Sequence, residues 1–542
     1  MNKLAALLLC CAAWAMAGPR YSPAGYLNRR LHPDIIKERD VEGIEAQITG
    51  QKLVLRVEDF VRLLLKNSTD IRLVQLDYYT AADAVLAANA PFDPNLLMSF
   101  AATRSKQPQS NLISGAGTLN SLTQSSQAGY QQVLGEGPTL SSSFNAVRTS
   151  TNSVFSNLNP SIFDSLNFAL TQPLLQNRGN IQLRTPLLIA RTQLVITSAL
   201  SKTRIADTIA AATRQYWDAV GARDFIRVQQ ESLDLAQRAY EHDKLSLELG
   251  ALSRLDIFQS ESQVAQRRVS LIQAQYAYRE ILDSLRRLIG ADLKPATRYM
   301  EMVLQDDPGI QSSSVTVQPL EQAVAKAMDS RPELTAAGRR IAIDELNERA
   351  AQNALLPRVD LSVLGGASGL GGVPIATSSG LLGVTPVPAA PSGLGESLGQ
   401  ILSFKAPYYG LGITLGIPIR SSLAKANLAD ALVNRTRDRY NVRQIEQQII
   451  LEVKTATNEF ELAREAVNAA ITARDLARQN VNAEQQKYEL GTITAFELLD
   501  AQTRLTQIEN TVVTANVGYQ KALISYQRAT WNLPYQIDTL VR

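Results

Sequence analysis

The tripeptide Glu-Leu-Gly occurs twice in this chain, at 248–250 and 489–491, and about forty residues after each copy align without a gap. In that alignment Asp256 meets Glu497, Tyr278 meets Tyr519 and Arg287 meets Arg528. Before the second copy, Ile449, Val453, Ala456, Phe460, Val467 and Val481 hold a 4-3 alternation; after it, Leu498, Ala501, Leu505, Val512, Tyr519 and Tyr526 hold the same one. Apolar residues spaced every 3.5 positions make a narrow seam, and two seams joined by a short turn make an antiparallel coiled-coil hairpin. Alanine at many seam positions lets the two helices approach closely. In the first copy Ile257, Val264, Leu271, Ala274, Ile281 and Leu285 keep the register, with Ser260 and Arg267 as exceptions. The chain therefore reads as a tandem duplication of one long-helix unit.

The remaining sequence says where such a unit works. Residues 1–17 carry a lone Lys3, an apolar run from Leu4 to Trp14 and Ala15-Met16-Ala17, the pattern of a secretory signal. The only cysteines, Cys10 and Cys11, fall inside it, so neither disulfides nor thiol chemistry is expected to hold the exported chain together. No later run approaches the roughly 20 apolar residues of a membrane-spanning helix, so any passage through a membrane must use strands. A formal charge of +3 over 542 residues gives no support to nucleic-acid binding.

The hydrophobic period changes from helical to alternating in four places. Segments 94–104 and 163–172 in the first half, and 357–365 and 408–418 in the second, read as strands; 140–147 competes with 94–104 as the first of them. Tyr409, Leu411, Ile413, Leu415 and Ile417 face one way against Gly410, Gly412, Thr414 and Gly416, as in a lipid-facing barrel strand. Pro91, Pro173, Pro357 and Pro418 sit at the helix–strand junctions, and Phe404, Tyr408 and Tyr409 are expected in an interfacial aromatic belt. The polar stretches 105–160 and 366–406 read as long external loops.

Each half is thus helix–strand–strand–helix–helix, with helices at 57–89, 181–247 and 255–288, then at 319–354, 421–489 and 495–531. The expected divisions are a signal (1–17), an N-terminal arm (18–52), a first repeat (53–290), a linker packing as an equatorial belt (291–318), a second repeat (319–531) and a tail (532–542). The expected class is mainly α with a membrane β-barrel contribution. Four strands cannot close a barrel, which needs about eight, and an open edge in lipid is costly. Two copies would supply eight strands, three copies twelve.

The run Tyr488-Glu489-Leu490-Gly491-x-x-Thr494-x-x-Glu497-Leu498-Leu499-Asp500-Ala501-Gln502, with its echo Glu248-Leu249-Gly250-x-x-Ser253-x-Leu255-Asp256, resembles the signature of TolC-type outer-membrane efflux proteins. The resemblance implies a homotrimer: a twelve-stranded barrel in outer-membrane lipid above a periplasmic α-helical tunnel. It implies a periplasmic adaptor and an inner-membrane transporter as partners, serving efflux or type I secretion. It further implies that Asp256, Glu497 and Asp500 ring a periplasmic gate, with Arg254 as counter-charge. Gly250, Ser253, Gly491 and Thr494 would form the tips on which adaptor hairpins dock. Helix capping and turn geometry account equally well for those residue types at those places.

Enzymatic readings find little purchase. His32 and His242 lie far apart, and no phosphate loop, nucleophile motif or metal set is present, so no catalytic residue and no cofactor is expected. The alternative reading is a structural periplasmic coiled coil with adhesive loops and no transport role.

Overall fold

The computed structural model describes residues 38, 40–108, 117–135, 137–153, 156–249, 254–309, 318–375, 393–490 and 492–535, without the side chains of 254–256. The expected signal at 1–17 lies outside them. The chain divides into two units, one of residues 1–68 with 286–305 and one of 69–285 with 306–542.

In the smaller unit, β1 (Ile48–Thr49) pairs antiparallel with β2 (Lys52–Leu55), and β2 pairs parallel with β7 (Glu301–Leu304). Helix α1 (Val57–Asn67) buries a stripe of Phe60, Val61, Leu63 and Leu64, and the sheet buries Leu53, Leu55, Met302 and Leu304. The stretch read as an arm therefore supplies β1 and the first residue of β2, and the linker supplies both a strand and the short helix α5 (Pro295–Arg298). Gly290, at φ +71°, makes the turn into it.

The larger unit carries the duplication. Helix α3 (Ile181–Glu248) and α9 (Ser422–Glu489) each have 68 residues, and α4 (Arg254–Leu288) and α10 (Ala495–Ala529) each have 35. The flanking helices, read as single, are each broken once. α1 gives way at Ser68 to α2 (Thr69–Asn89), and α6 (Leu320–Ser330) gives way at Arg331 to α7 (Pro332–Asn353). The second break has a plain cause: Pro332 pushes Arg331 into the extended region, at φ −73° and ψ 124°.

The seams pack as their spacing requires. Phe460 and Val467 of α9 meet Tyr519, Ala522 and Tyr526 of α10, and Val481 meets Ala501 and Leu505. Beyond the end of α10, α6 takes over the same face of α9. Ala323 and Ala327 join Ile449, Val453, Ala456 and Ala529 in one buried cluster. Two shorter helices placed end to end thus cover one long one. Helix α3 meets α7 through Ile196, Ala199 and Ala336, and it approaches α10 so closely that a Cβ on Gly221 would lie 2.6 Å from Val517 Cγ2.

Strands β3 (Asn95–Pro108), β4 (Thr118–Val133), β5 (Thr139–Thr151), β6 (Leu158–Pro173), β8 (Arg358–Pro374) and β9 (Pro407–Gly416) form one antiparallel sheet in the order β3-β4-β5-β6-β8-β9. The stretch 105–160, read as a loop, therefore holds a complete hairpin, and both segments that competed for the first strand are strands. Their Ser, Thr and Gln content hid them: with neither face strongly apolar, the alternation that marks a strand is weak. In the second half β8 runs on to Pro374. Helix α8 (Leu394–Leu402) covers the exposed margin of β8 beyond the end of β9; Gln400 bonds both Leu370 N and Leu370 O, at 3.0 Å each.

Candidate functional site at the helical hairpin tips

At the second tip, α9 ends with Leu490 N–H bonding to Gln486 O, and Thr492 folds back so that its N–H and hydroxyl both reach Lys487 O at 2.9 Å. Thr494 then caps α10. Its backbone N–H donates to Glu497 Oε2 at 2.9 Å while its side chain accepts from the helix, a complete capping box that satisfies two otherwise orphaned donors. Glu497 is engaged in that cap. Asp500, one turn further on, pairs with Arg504 at 2.8 Å on an exposed face. Gly491, Gly250 and Ser253 lie outside the described residues, as do the side chains of Arg254 and Asp256, whose backbone opens α4.

A group not singled out from the sequence lies within two helical turns of these tips. Asp243 of α3 is 1% exposed, and it accepts hydrogen bonds from the Ser260 hydroxyl of α4 and the Tyr488 hydroxyl of α9. His242 Nδ1 stands 3.6 Å from Asp243 Oδ1, and its ring lies 5.2 Å from that of Tyr488. One buried carboxylate therefore ties both helices of the first hairpin to the second. A buried carboxylate must be satisfied by donors, and here one comes from its own hairpin and one from the other, so separating the hairpins takes away the Tyr488 hydroxyl. The sequence held one trace of this: Ser260 breaks an otherwise apolar seam. Its partner was invisible because Asp243 sits among ordinary solvated-looking charges.

Further along the helices a second network joins the two repeats. Arg528 of α10, 8% exposed, bonds Asp207 of α3 at 2.5 Å and Glu333 of α7 at 3.0 Å. Arg331, 3% exposed, reaches Glu333 at 2.9 Å and Glu452 of α9 at 2.6 Å. Burial alone would raise the Glu333 carboxyl, but Arg331 and then Arg528 outweigh it and hold it below its ordinary value. Arg267, the other break in the seam, lies half buried and donates to Thr503 Oγ1 of α10 at 2.7 Å; desolvation lowers its pKa. Of the two seam exceptions, Ser260 bonds within the first hairpin and Arg267 reaches across to the second.

In the sheet, Tyr409 stands on the same face as Leu411, Ile413 and Leu415. Tyr408 points to the other face, where its hydroxyl donates to Asn167. Of the aromatic residues assigned to a belt, Tyr408 is therefore on the polar side.

Comparison with known proteins agrees with this architecture. Residues 323–530 match the family described as "Outer membrane efflux protein". No curated protein sequence matches the chain. The channel CusC, solved in a study of its folding and channel formation, is 16% identical with a TM-score of 0.62, covering 88% of this chain and 91% of that one. The CmeC outer membrane channel of Campylobacter jejuni is 12% identical with a TM-score of 0.60 over 94% and 96%. The open state of the MtrE outer membrane channel of Neisseria gonorrhoeae is 15% identical with a TM-score of 0.58 over 92% and 97%. Residues 323–530 are therefore similar to the outer membrane efflux proteins, and the described chain has the fold of outer-membrane channels.

Proposed function

We propose that this chain is the outer-membrane channel of a tripartite efflux pump or type I secretion system, a passive duct that works as a homotrimer. The sheet carries the reading. An apolar band crosses one of its faces, the other is mostly polar, and β6 and β9 lead into the two 68-residue helices α3 and α9. Strand edges left open in lipid cost several kcal/mol for each unpaired backbone group, so sister copies must close them. The helices then continue the wall into the periplasm, away from the lipid.

The hairpin tips form the inner end of the duct. A periplasmic adaptor docks on the turns at Gly250, Ser253, Gly491 and Thr494, and an inner-membrane transporter delivers cargo behind it. Asp256 and Asp500, repeated around the axis, make a cation-attracting ring, with Glu497 held beside them by its cap and Arg254 as counter-charge. Asp243 and Tyr488 latch neighbouring hairpins in the closed arrangement.

The test is a planar bilayer. The purified chain should give discrete conductance steps that a trivalent cation blocks from the periplasmic side. Replacing Asp256 and Asp500 together with Asn should raise the blocking concentration roughly tenfold, the equivalent of about 1.4 kcal/mol. Unchanged block removes these acids from the entrance. A chain that stays in the aqueous phase and conducts nothing sinks the channel reading.

A further inference from the structure

The hairpin of β4 and β5 crosses the full height of the sheet. Its strands have 16 and 13 residues, beyond the roughly 9–11 that span a bilayer. Its tight turn lies at the helix end, where Leu134 O accepts from Asn180 Nδ2 at 2.9 Å, one residue before α3 begins. A Cβ on Gly137 in that turn would lie 2.6 Å from Gln172 Nε2, so the turn is packed against the end of β6. This is not an appendage on an external loop.

The register shows which way its side chains face. One row crosses all six strands: Tyr409, Gly365, Phe168, Ser142, Tyr130 and Leu96. From that row the apolar run on β9 extends toward the helices through Leu411, Ile413 and Leu415. On β3 it extends the opposite way, through Met98, Phe100 and Ala102. Between them it passes through Leu166 and Leu170 on β6, Leu140, Phe144 and Ala146 on β5, and Ala128 on β4. The apolar band slides by about six residues over five strand-to-strand steps. With a rise of about 3.3 Å per residue and strands about 4.8 Å apart, that slide corresponds to strands tilted by about 40°, the inclination of membrane barrels. A horizontal lipid slab drawn on tilted strands leaves such a diagonal, and the diagonal runs through the hairpin without a step.

The opposite face carries Ser125, Gln127, Ser143, Asn145 and Asn167 in its central rows, interrupted by Leu97, Val147, Phe163, Leu364 and Leu370. Its only charged side chains within the strands are Arg358 and Asp360, which pair with each other at 2.5 Å near the helix end. Arg104, Lys106, Arg148 and Asp164 all lie on the apolar face, above the band.

We infer that the β4–β5 hairpin stands in the lipid-facing wall, so that each copy supplies six strands, its β3 edge pairing with β9 of the next copy around a pore lined by hydroxyl and amide groups. Strand directions alternate through all six, and an even number keeps β3 of one copy antiparallel to β9 of the next. With the three-copy assembly proposed above, on which this count rests, the wall has eighteen strands. Because diameter grows roughly linearly with strand number, its pore is roughly half again as wide as that of a wall of four strands per copy, and suits bulky polar cargo without selecting it by charge.

Single cysteines in the full-length chain test the placement. Phe144→Cys and, separately, Asn145→Cys are tagged with a small fluorophore and reconstituted in vesicles of phosphatidylcholine containing nitroxide-labelled lipid. Nitroxide lipid should quench the tag at 144 and aqueous iodide the tag at 145, with Tyr130→Cys and Gln131→Cys giving the same contrast on β4. Iodide quenching both members of each pair alike would overturn the inference, because the hairpin would then stand in water. The mass of the detergent-solubilised oligomer is read alongside. Three copies support eighteen strands; two copies with the same quenching contrast would overturn that count and the trimer, and leave the hairpin in the wall.

Discussion

Tyr488 shows how much one side chain can decide. Its phenol is one of two hydroxyls among the described residues that donate to the buried Asp243 carboxylate, and it arrives from the other repeat. Hydrogen bonds to charged groups contribute about 1.5–3 kcal/mol. Tyr488→Phe keeps the ring against His242 and removes only the hydroxyl. In bilayers this variant should spend roughly ten- to a hundred-fold more time conducting, since each 1.4 kcal/mol is a factor of about ten. Open probability equal to that of the unsubstituted channel would show that Asp243 does not latch the tips. The same scale sorts the acids after the second tip: Glu497 closes a capping box, whereas Asp500 holds an exposed i,i+4 pair with Arg504.

At the scale of elements, the interface of α7 with α9 carries a proton-dependent contact. Asp344 of α7 is 8% exposed, and its carboxyl is pushed up to about 6, first by burial and then by the charge of Asp438 and the hydrogen bond between them; Arg435 opposes the shift. Arg435 in turn bonds Glu348 at 2.8 Å and Glu345 at 3.4 Å. A carboxyl raised above its unfolded value of 3.8 means that the folded protein binds the extra proton. The resulting stabilisation is complete below that value and is lost as pH rises through about 6. Asp344→Asn keeps the shape and the donor but removes the ionisation. Its thermal midpoint should exceed that of the unsubstituted protein at pH 7.5 and match it at about pH 3, below the unfolded value. A difference that does not vary between those pH values would show that the pair is not titrating.

Across the larger unit, the two repeats are held together by charges that neither repeat could bury alone. Arg528 bonds Asp207 and Glu333, and Arg331 bonds Glu333 and Glu452, so four helices share one buried network. Removing Arg528 takes from Glu333 one of its two cationic partners and leaves it Arg331 alone, which costs about 1.5–3 kcal/mol. Arg528→Ala should therefore lower the thermal midpoint by several degrees, while Arg504→Ala on the exposed face of the same helix should leave it within a degree or so. Equal midpoints for the two variants would mean that the network holds nothing together.

The sequence by itself determined the duplication, the seams and the tips, because each is written in residues close along the chain. A 3.5-residue period, a Gly in a turn and a Thr before Glu497 act locally, and they specify helix, turn and cap wherever they occur. The strands at 163–172, 357–365 and 408–418 were legible for the same reason, since their faces alternate between apolar and small residues. Only the tertiary structure decided the hairpin at 118–151 and the partners of Asp243 and Arg528. A strand whose apolar residues are sparse among Ser, Thr and Gln has a weak signature until its neighbours fix its register. A buried charge looks like any solvated one until helices more than 200 residues apart in sequence close around it.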